Sequence, residues 1–184
     1  MEDDRQKALM LTLNQFFDFS PTQNRIEDKV FRCKAIFLNE VLWDAIQNGL
    51  YDSLNEGLSV LLFQIGLKYG TAVGKKTKEA IPDIDTAVKF LETYGLMAGW
   101  AKFETSPIKL EAGKLAENVT VVLKDSFFAI ARDGKKADSP RCFFVSGLLT
   151  GIADGLLGEG HRCIETKCAV ADHDHCEFLI HQGS

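Results

Sequence analysis

The sequence predicts an α+β fold in which an antiparallel sheet packs against several helices. Two long segments of helical character each carry three glycines spaced four residues apart, and segments of strand character are grouped in the second half of the chain. With 184 residues, of which 46% are apolar, the chain is long enough to bury one core without disulfides. We therefore expect residues 21–184 to form a single domain, preceded by a separate segment over residues 1–20.

This first segment predicts an amphipathic helix from about residue 4 to residue 17. Its apolar side chains fall near one helical face: Ala8, Leu9, Leu13, Phe16 and Phe17. Such a helix needs an apolar partner, which is either a second subunit or its own domain. The stretch over residues 20–24 contains proline and ends the helix, and a strand is expected over residues 30–37.

Further helices and strands follow along the chain. A helix over residues 39–54 would bury three apolar side chains, Trp43, Ile46 and Leu50. Pro82 begins another helix that reaches about residue 100. Residues 103–111 and 118–124 predict two antiparallel strands joined by a turn around Gly113.

Two predicted helices carry glycine stripes. One covers residues 55–78, and the other begins at Ser139-Pro140 and ends near residue 157. Their stripes are Gly66, Gly70 and Gly74 in the first helix, and Gly147, Gly151 and Gly155 in the second. Each glycine costs about 1 kcal/mol relative to alanine inside a helix, so the stripes predict the close approach of another backbone or of a ligand.

Composition excludes several classes of function. A net charge of -5 and a pI near 5.4 argue against nonspecific binding to nucleic acids, which requires a basic surface. The N-terminus is acidic, and no apolar run approaches the roughly 20 residues that span a bilayer, so we expect a cytosolic protein. Five cysteines in such a protein indicate metal ligands together with free thiols. Cys33 and Cys163 are expected to be core thiols.

Four of the five cysteines and all four histidines lie in the last 43 residues, where residues 161–167 and 176–181 predict a closing hairpin. We predict a metal site formed by Cys142, Glu165, Cys168 and Cys176. Three thiolates and one carboxylate would complete the tetrahedral coordination of a structural zinc. Because Glu165 and Cys168 have opposite parity along a strand, the chain must turn between them. Alternatively, these cysteines are ordinary core residues, and His173 and His175 are solvated.

Several of these segments resemble the 4-vinyl reductase domain family. The resemblance is carried by Cys142-Phe-Phe-Val-Ser-Gly147, Glu165-Thr-Lys-Cys168 and Cys176-Glu-Phe178, and with Gly66-Leu-Lys-Tyr-Gly70 and Gly99-Trp100 it covers about residues 31–181. The family includes sensory domains of phenol- and xylene-responsive activators, and it shares a fold with haem-based nitric-oxide sensors and Golgi tethering subunits. The resemblance implies a zinc held by three cysteines and one glutamate, at the same four positions.

The resemblance also implies a ligand-binding module, and we expect it to act as a homodimer through a downstream regulatory protein. The ligand would be an aromatic, hydrocarbon or tetrapyrrole compound in an apolar pocket. Candidate lining residues are Phe63, Tyr94, Trp100, Phe103 and Leu123. Leu123 lies near the position where the phenol sensors place a tryptophan, so phenol is not the expected ligand. In the loop before Cys176, Asp172 replaces a glycine of the sensors.

Two other functions stay open at this stage. One is a tetrapyrrole vinyl reductase or substrate carrier, although the sequence has no Gly-x-Gly-x-x-Gly fingerprint. Residues 70–77 resemble a phosphate loop only superficially, because they are one spacer short and fall in a predicted helix. The other function is a dimeric scaffold subunit without a small ligand.

Overall fold

The computed structural model describes residues 14–23, 25–36, 38–55, 57–129 and 141–183. The chain divides into two compact units, residues 1–39 and residues 40–184. The predicted amphipathic helix lies mostly outside the described residues, of which residues 14–16 are helical. None of the helices in the described ranges is long and apolar enough to cross a membrane.

The first unit contains a three-stranded antiparallel sheet. Its strands are β1 (Phe17–Ser20), β2 (Arg25–Asp28) and β3 (Cys33–Ala35), in the order β1-β2-β3. The stretch that was expected only to end a helix therefore connects two strands. The strand expected over residues 30–37 is shorter, because Asp28 Oδ1 accepts hydrogen bonds from the amides of Val30 and Phe31 and so fixes a turn, both at 2.9 Å.

Cys33 corrects a second expectation. It was predicted to be a core thiol, but it is exposed. It lies on β3, which has a neighbouring strand on one side only and spans three residues. A short edge strand of this kind gives its side chains little cover.

The second unit is built on four described helices: α1 (Glu40–Leu54), α2 (Gly57–Ala80), α3 (Ile84–Met97) and α4 (Phe143–Leu157). All four were predicted, with small differences at their ends. In α1, Trp43 is buried and Leu50 packs against the core, but Ile46 is 37% exposed, contrary to expectation. At 3.6 residues per turn, Leu50 lies within about 20° of Trp43 around the helix, whereas Ile46 lies about 60° away. The buried stripe of α1 is therefore narrow.

The start of α4 also differs from the prediction. The helix begins at Phe143 with Cys142 at its N-cap position, so the cap is not Ser139. Ser139 and Pro140 themselves lie outside the described residues. The consequence is that Cys142 precedes the first turn of α4, where its backbone amide is free to bind a side chain from another element.

The two glycine stripes face each other across α2 and α4. A Cβ atom added at Gly70 would lie 2.1 Å from the carbonyl oxygen of Leu148, and one added at Gly147 would lie 2.0 Å from that of Phe63. The backbones of the two helices are therefore in direct contact. This confirms the predicted close approach and identifies the partner as the other glycine-bearing helix.

A four-stranded antiparallel sheet lies in the same unit, in the order β4-β7-β9-β8. Its strands are β4 (Lys102–Thr105), β7 (Val119–Lys124), β8 (His161–Lys167) and β9 (Cys176–Gln182), and a small hairpin of β5 (Leu110–Glu111) and β6 (Lys114–Leu115) separates β4 from β7. The continuous strand expected over residues 103–111 is interrupted after Thr105. Ser106 still pairs with Thr120 through its amide at 2.8 Å, but Pro107 has no amide to continue the ladder.

The core of this unit combines side chains from the helices and from the sheet. Val145 of α4 and Phe178 of β9 are both completely buried, and Val119 and Leu123 of β7 are each 1% exposed. Each of these strand residues is followed by a more exposed neighbour, as expected for a sheet with one face against the core. This packing fixes α4 and the hairpin β8–β9, which carry the predicted metal ligands.

Candidate functional site

Three thiols and one carboxylate converge at one end of α4. The ligand atoms of Cys142, Glu165, Cys168 and Cys176 all lie within 4.8 Å of one another. The Cys142 sulfur is 3.8 Å from the Cys168 sulfur and 3.8 Å from the Cys176 sulfur. The three cysteines are free and at most 5% exposed. The four residues singled out in the sequence are therefore brought together.

Each of the four residues is placed by a different local feature. Cys142 lies just before α4, and Cys176 is the first residue of β9. Glu165 lies in β8, where the pairing with β9 shifts register between Glu165 and Lys167. This irregularity, followed by Cys168 after the strand end, is the change of direction that strand parity required. The loop then passes through Asp172, which adopts a left-handed backbone with φ of 68°.

Hydrogen bonds leave part of this cluster unsatisfied. The Cys142 amide donates to Glu165 Oε2 at 2.8 Å, and the Ala169 amide donates to the Cys176 sulfur at 3.4 Å. Glu165 Oε1 is buried and has no hydrogen-bond partner in the part of the chain that the structure describes. Buried polar atoms without a partner are rare in native proteins, and an unplaced ion is one explanation for them.

The protonation equilibria of the cluster also favour a cation. Burial raises the pKa of the Glu165 carboxyl to about 7. The pKa of Cys142 is raised because its hydrogen bonds with Cys168 and then Cys176 hold its proton, whereas the pKa of Cys168 is lowered by hydrogen bonds from the same neighbours. Four acidic groups this close together cannot all ionise without a counter-charge, and a divalent metal supplies one.

The spacing fits a tetrahedral metal. With metal–sulfur bonds of about 2.3 Å, as for zinc, the edge of a tetrahedron is about 3.8 Å. Two of the sulfur–sulfur distances have this value. Four protein ligands fill a tetrahedral site and leave no position for water or substrate, which is the arrangement of structural rather than catalytic zinc. The cluster could therefore hold a metal ion that links α4 to the hairpin.

The other cysteine and histidines of this region lie outside the cluster. Cys163 is buried on β8, as predicted, and burial raises the pKa of its thiol to about 12. His175 contacts its neighbour Asp174 through Nδ1. His161 donates its backbone amide to Asp154 Oδ1 at 2.9 Å, and its ring Nδ1 lies 3.0 Å from the same oxygen. These interactions tie the start of β8 to the last turn of α4.

A second feature is an apolar cavity of about 80 Å³. Its walls come from α2, α3 and α4 on one side and from β4, β7 and β9 on the other. Tyr94, Trp100 and Phe103, which were candidate lining residues, line it. Phe63 and Leu123 are not among its lining residues. The cavity is therefore an apolar space between helices and sheet, with three of the five expected side chains in its wall.

Phe63 and Leu123 have other surroundings. Phe63 is half-buried on α2, and its carbonyl oxygen faces Gly147 in the helix contact. Leu123 is buried on β7 and borders a separate surface depression together with Ser126 and His175. This depression adjoins the metal cluster, because Leu123 pairs with Cys176 in the sheet.

Sequence reasoning missed several cavity residues. Gly95 and Glu92 of α3 line it, as does Ala153 of α4. A Cβ atom added at Gly95 would lie 2.6 Å from Cε2 of Phe103, so this glycine makes room for the aromatic ring. A single glycine inside a predicted helix was the only signal available in the sequence for this contact.

A series of aromatic rings connects the cavity to α1. Trp100, in the cavity wall, lies 5.7 Å from Phe128 in an edge-on arrangement, and Phe128 lies 5.6 Å from Trp43 of α1. Phe144 of α4 joins the same group at 5.7 Å from Trp43. Edge-to-face pairs of this kind stabilise a core beyond the burial of their area. The rings fix Trp100 relative to α1 and the start of α4.

Comparisons with known proteins identify the same relationships. The model of the 4-vinyl reductase domain family matches residues 120–182. The crystal structure of the phenol-responsive sensory domain of the transcription activator PoxR, determined with phenol, is similar with a TM-score of 0.81 and 20% identity, covering 96% of this chain and 89% of that one. A vinyl-4-reductase family protein from Methanocaldococcus jannaschii has a TM-score of 0.55 and 14% identity, covering 82% of this chain and 85% of that one. These two structures establish the likeness of the fold.

One curated relative is an uncharacterized protein of Methanocaldococcus jannaschii, 26% identical over 125 residues. The alignment covers 67% of this chain and 65% of that protein, so this chain spans slightly less than two thirds of its relative.

Proposed function

Since residues 120–182 match the 4-vinyl reductase domain, we propose that the protein is a small-molecule sensing module that binds an aromatic or hydrocarbon ligand in its apolar cavity. The observation that carries this proposal is the cavity of about 80 Å³ between helices and sheet. Concave and mostly apolar spaces of this kind are the usual sites of small ligands. The fold is that of a domain whose structure was determined with phenol.

The size of the cavity limits the choice of ligand. A tetrapyrrole, which the sequence had left open, is much larger than a single aromatic ring and would require the walls to separate. The walls are packed core elements, because α2 and α4 contact each other through their backbones. A small ring or a short hydrocarbon therefore fits this space better than a large macrocycle.

A second part of the proposal assigns zinc to Cys142, Glu165, Cys168 and Cys176. Bound there, the ion would supply a cross-link between the start of α4 and the hairpin β8–β9, and it would neutralise part of the thiolate charge. Both α4 and β9 contribute side chains to the cavity wall, among them Leu149 and Ile180. The cross-link would therefore hold one wall of the ligand site.

We further propose that the protein acts as a cytoplasmic homodimer and passes its signal to a regulatory protein. Native mass spectrometry of freshly purified protein tests the dimer together with the metal. The expected species is a dimer that carries one zinc per chain. A monomer would remove the dimer from the proposal, and a metal-free chain would remove the zinc.

Ligand binding is tested by filling the cavity. Ala153→Leu places a larger side chain in the wall, and Ala72→Leu makes the same change at an exposed position of α2. Toluene at about 100 times its Kd should stabilise the native protein by about 2.7 kcal/mol, which for a chain of this size corresponds to a rise in Tm of about 5–10 °C. The rise is expected in the wild type and in Ala72→Leu, and it should be absent in Ala153→Leu.

The unliganded variants serve as the control for folding. A cooperative transition of Ala153→Leu without toluene shows that the loss of response is a loss of the site. An equal response to toluene in all three proteins would place binding outside the cavity and contradict the proposal.

A further inference from the structure

We propose that the cavity is selective for uncharged ligands and that Glu92 determines this specificity, by accepting a hydrogen bond from a neutral donor and by rejecting anions. The inference rests on the proposed function, because it concerns the same cavity. It goes further by naming the chemical class of the ligand, a small uncharged ring or hydrocarbon with at most one hydrogen-bond donor. It excludes carboxylates and fatty acids of similar apolar bulk.

The first argument is the absence of cations from the wall. The residues that line the cavity, all of them described, include no lysine, arginine or histidine. An anionic group of a ligand would therefore be removed from water without an opposite charge. Burial of an unpaired charge is strongly unfavourable, whereas burial of an apolar group is favourable.

The second argument is the one carboxylate in the wall, that of Glu92 on α3. Its Oε1 atom accepts a hydrogen bond of 2.7 Å from the amide of Thr105. Thr105 is itself paired with Val121 in the sheet, so the carboxylate is fixed where α3 meets β4. A ligand carboxylate would meet a like charge that cannot easily move away.

The same geometry leaves an acceptor for a neutral ligand. The hydrogen bond from Thr105 uses Oε1 of Glu92, and a carboxylate has a second oxygen with lone pairs of its own. Tyr94, Trp100 and Thr105 are the other polar residues in the wall, and none of them carries a charge at neutral pH. Glu92 is therefore the strongest acceptor available to a ligand hydroxyl in this cavity.

The third argument is size. The ring of Phe103 packs against the backbone of α3 at Gly95, where a Cβ atom would lie 2.6 Å from Cε2. Gly95 thereby keeps the ring out of the cavity and preserves the space for one small molecule. The remaining volume of about 80 Å³ suits a single ring and not a long acyl chain.

Three probes of the same ring size separate these arguments: toluene, benzyl alcohol and benzoate. Isothermal titration calorimetry at neutral pH measures the Kd of each probe for the wild type, for Glu92→Gln and for Glu104→Gln. Glu104 is the matched control, because it is a carboxylate on the neighbouring strand β4 that pairs with Lys102 and Lys124 and does not line the cavity.

For the wild type, we expect toluene and benzyl alcohol to bind and benzoate to bind at least about 100-fold more weakly, because its charge is buried without a partner. In Glu92→Gln, the affinity for benzyl alcohol should fall about tenfold, because a neutral amide oxygen is a weaker acceptor than a carboxylate. Toluene should change by less than about twofold, since it makes no such bond. Benzoate should gain affinity, and Glu104→Gln should behave like the wild type.

The outcomes distinguish this inference from the function on which it rests. If toluene, benzyl alcohol and benzoate bind the wild type equally, the cavity binds small molecules but the proposed selectivity is wrong. If Glu92→Gln weakens toluene and benzyl alcohol by the same factor, Glu92 supports the wall and is not the determinant. If no probe binds, the proposed function itself fails.

Discussion

Gly70→Ala is the most direct test of the contact between α2 and α4. The added Cβ atom would lie 2.1 Å from the carbonyl oxygen of Leu148 and 3.0 Å from the amide nitrogen of Ile152, both of them backbone atoms. Ordinary contact begins at 3.4 Å, so the oxygen is too close by about 1.3 Å. A flexible side chain could turn away, but a helical backbone can only move as a whole.

The magnitude follows from two opposing terms. Overpacking of a core costs about 1–3 kcal/mol and occasionally more, and a backbone clash belongs to the upper end of this range. Alanine gains up to about 1 kcal/mol over glycine in a helix. We therefore expect Gly70→Ala to lower the free energy of unfolding by about 2 kcal/mol and Tm by about 4–8 °C.

Urea unfolding followed by circular dichroism measures the effect, with Gly49→Ala as the control. Gly49 lies in α1 and has nothing within 4 Å of an added Cβ atom. This variant should be stabilised by about 0.5–1 kcal/mol, because only the propensity term remains. If Gly70→Ala is as stable as Gly49→Ala, the helices do not contact each other through their backbones and the reasoning is wrong.

Two further predictions concern the metal cluster and the core. Cys168→Ser should lower the zinc content measured by elemental analysis from one per chain to well below one, whereas Cys163→Ser, which changes a buried thiol outside the cluster, should retain the metal; equal zinc in both variants would contradict the assignment. Phe178→Ala should lower the free energy of unfolding by about 3–5 kcal/mol, because the side chain is completely buried, and Ile164→Ala, which changes a 55% exposed side chain on β8, should cost less than about 1 kcal/mol in the same urea titration.

The metal cluster and the glycine stripes could be predicted from the sequence because each depends on a strong local rule. Residues spaced four apart in a helix share one face, and a glycine stripe has few uses other than a close approach. Thiols and a carboxylate near the ends of two paired strands have few ways to avoid meeting. The metal ligands therefore followed from strand parity and from the turn between Glu165 and Cys168.

The first unit could not be predicted in the same way. Its three strands span three or four residues each, and their pairing depends on the turn that Asp28 stabilises. Strands this short contain too few alternating positions to give a periodic signal. The exposure of Cys33 follows from its position at the sheet edge, which is a property of the assembled sheet and not of its neighbours in sequence.

The lining of the cavity is a property of the assembled fold for the same reason. Tyr94, Trp100 and Phe103 were found because large aromatic side chains dominate apolar walls. Glu92 and Ala153 carry no such signal, since a charged residue and an alanine in a helix are most often on the surface or in ordinary packing. They become cavity residues only because α3 and α4 face the sheet at those positions.

The cavity has one rigid wall and one wall that is less constrained. On the rigid side, α4 contacts α2 through backbone atoms, and Cys142 at its start lies against the ligand atoms of the hairpin. On the opposite side, α3 meets β4 through the hydrogen bond of Glu92 and through the ring of Phe103 at Gly95. A side-chain hydrogen bond and a ring can adjust to a ligand at a much lower free-energy cost than two interlocked backbones. A ligand in the cavity would therefore act first on α3 and β4.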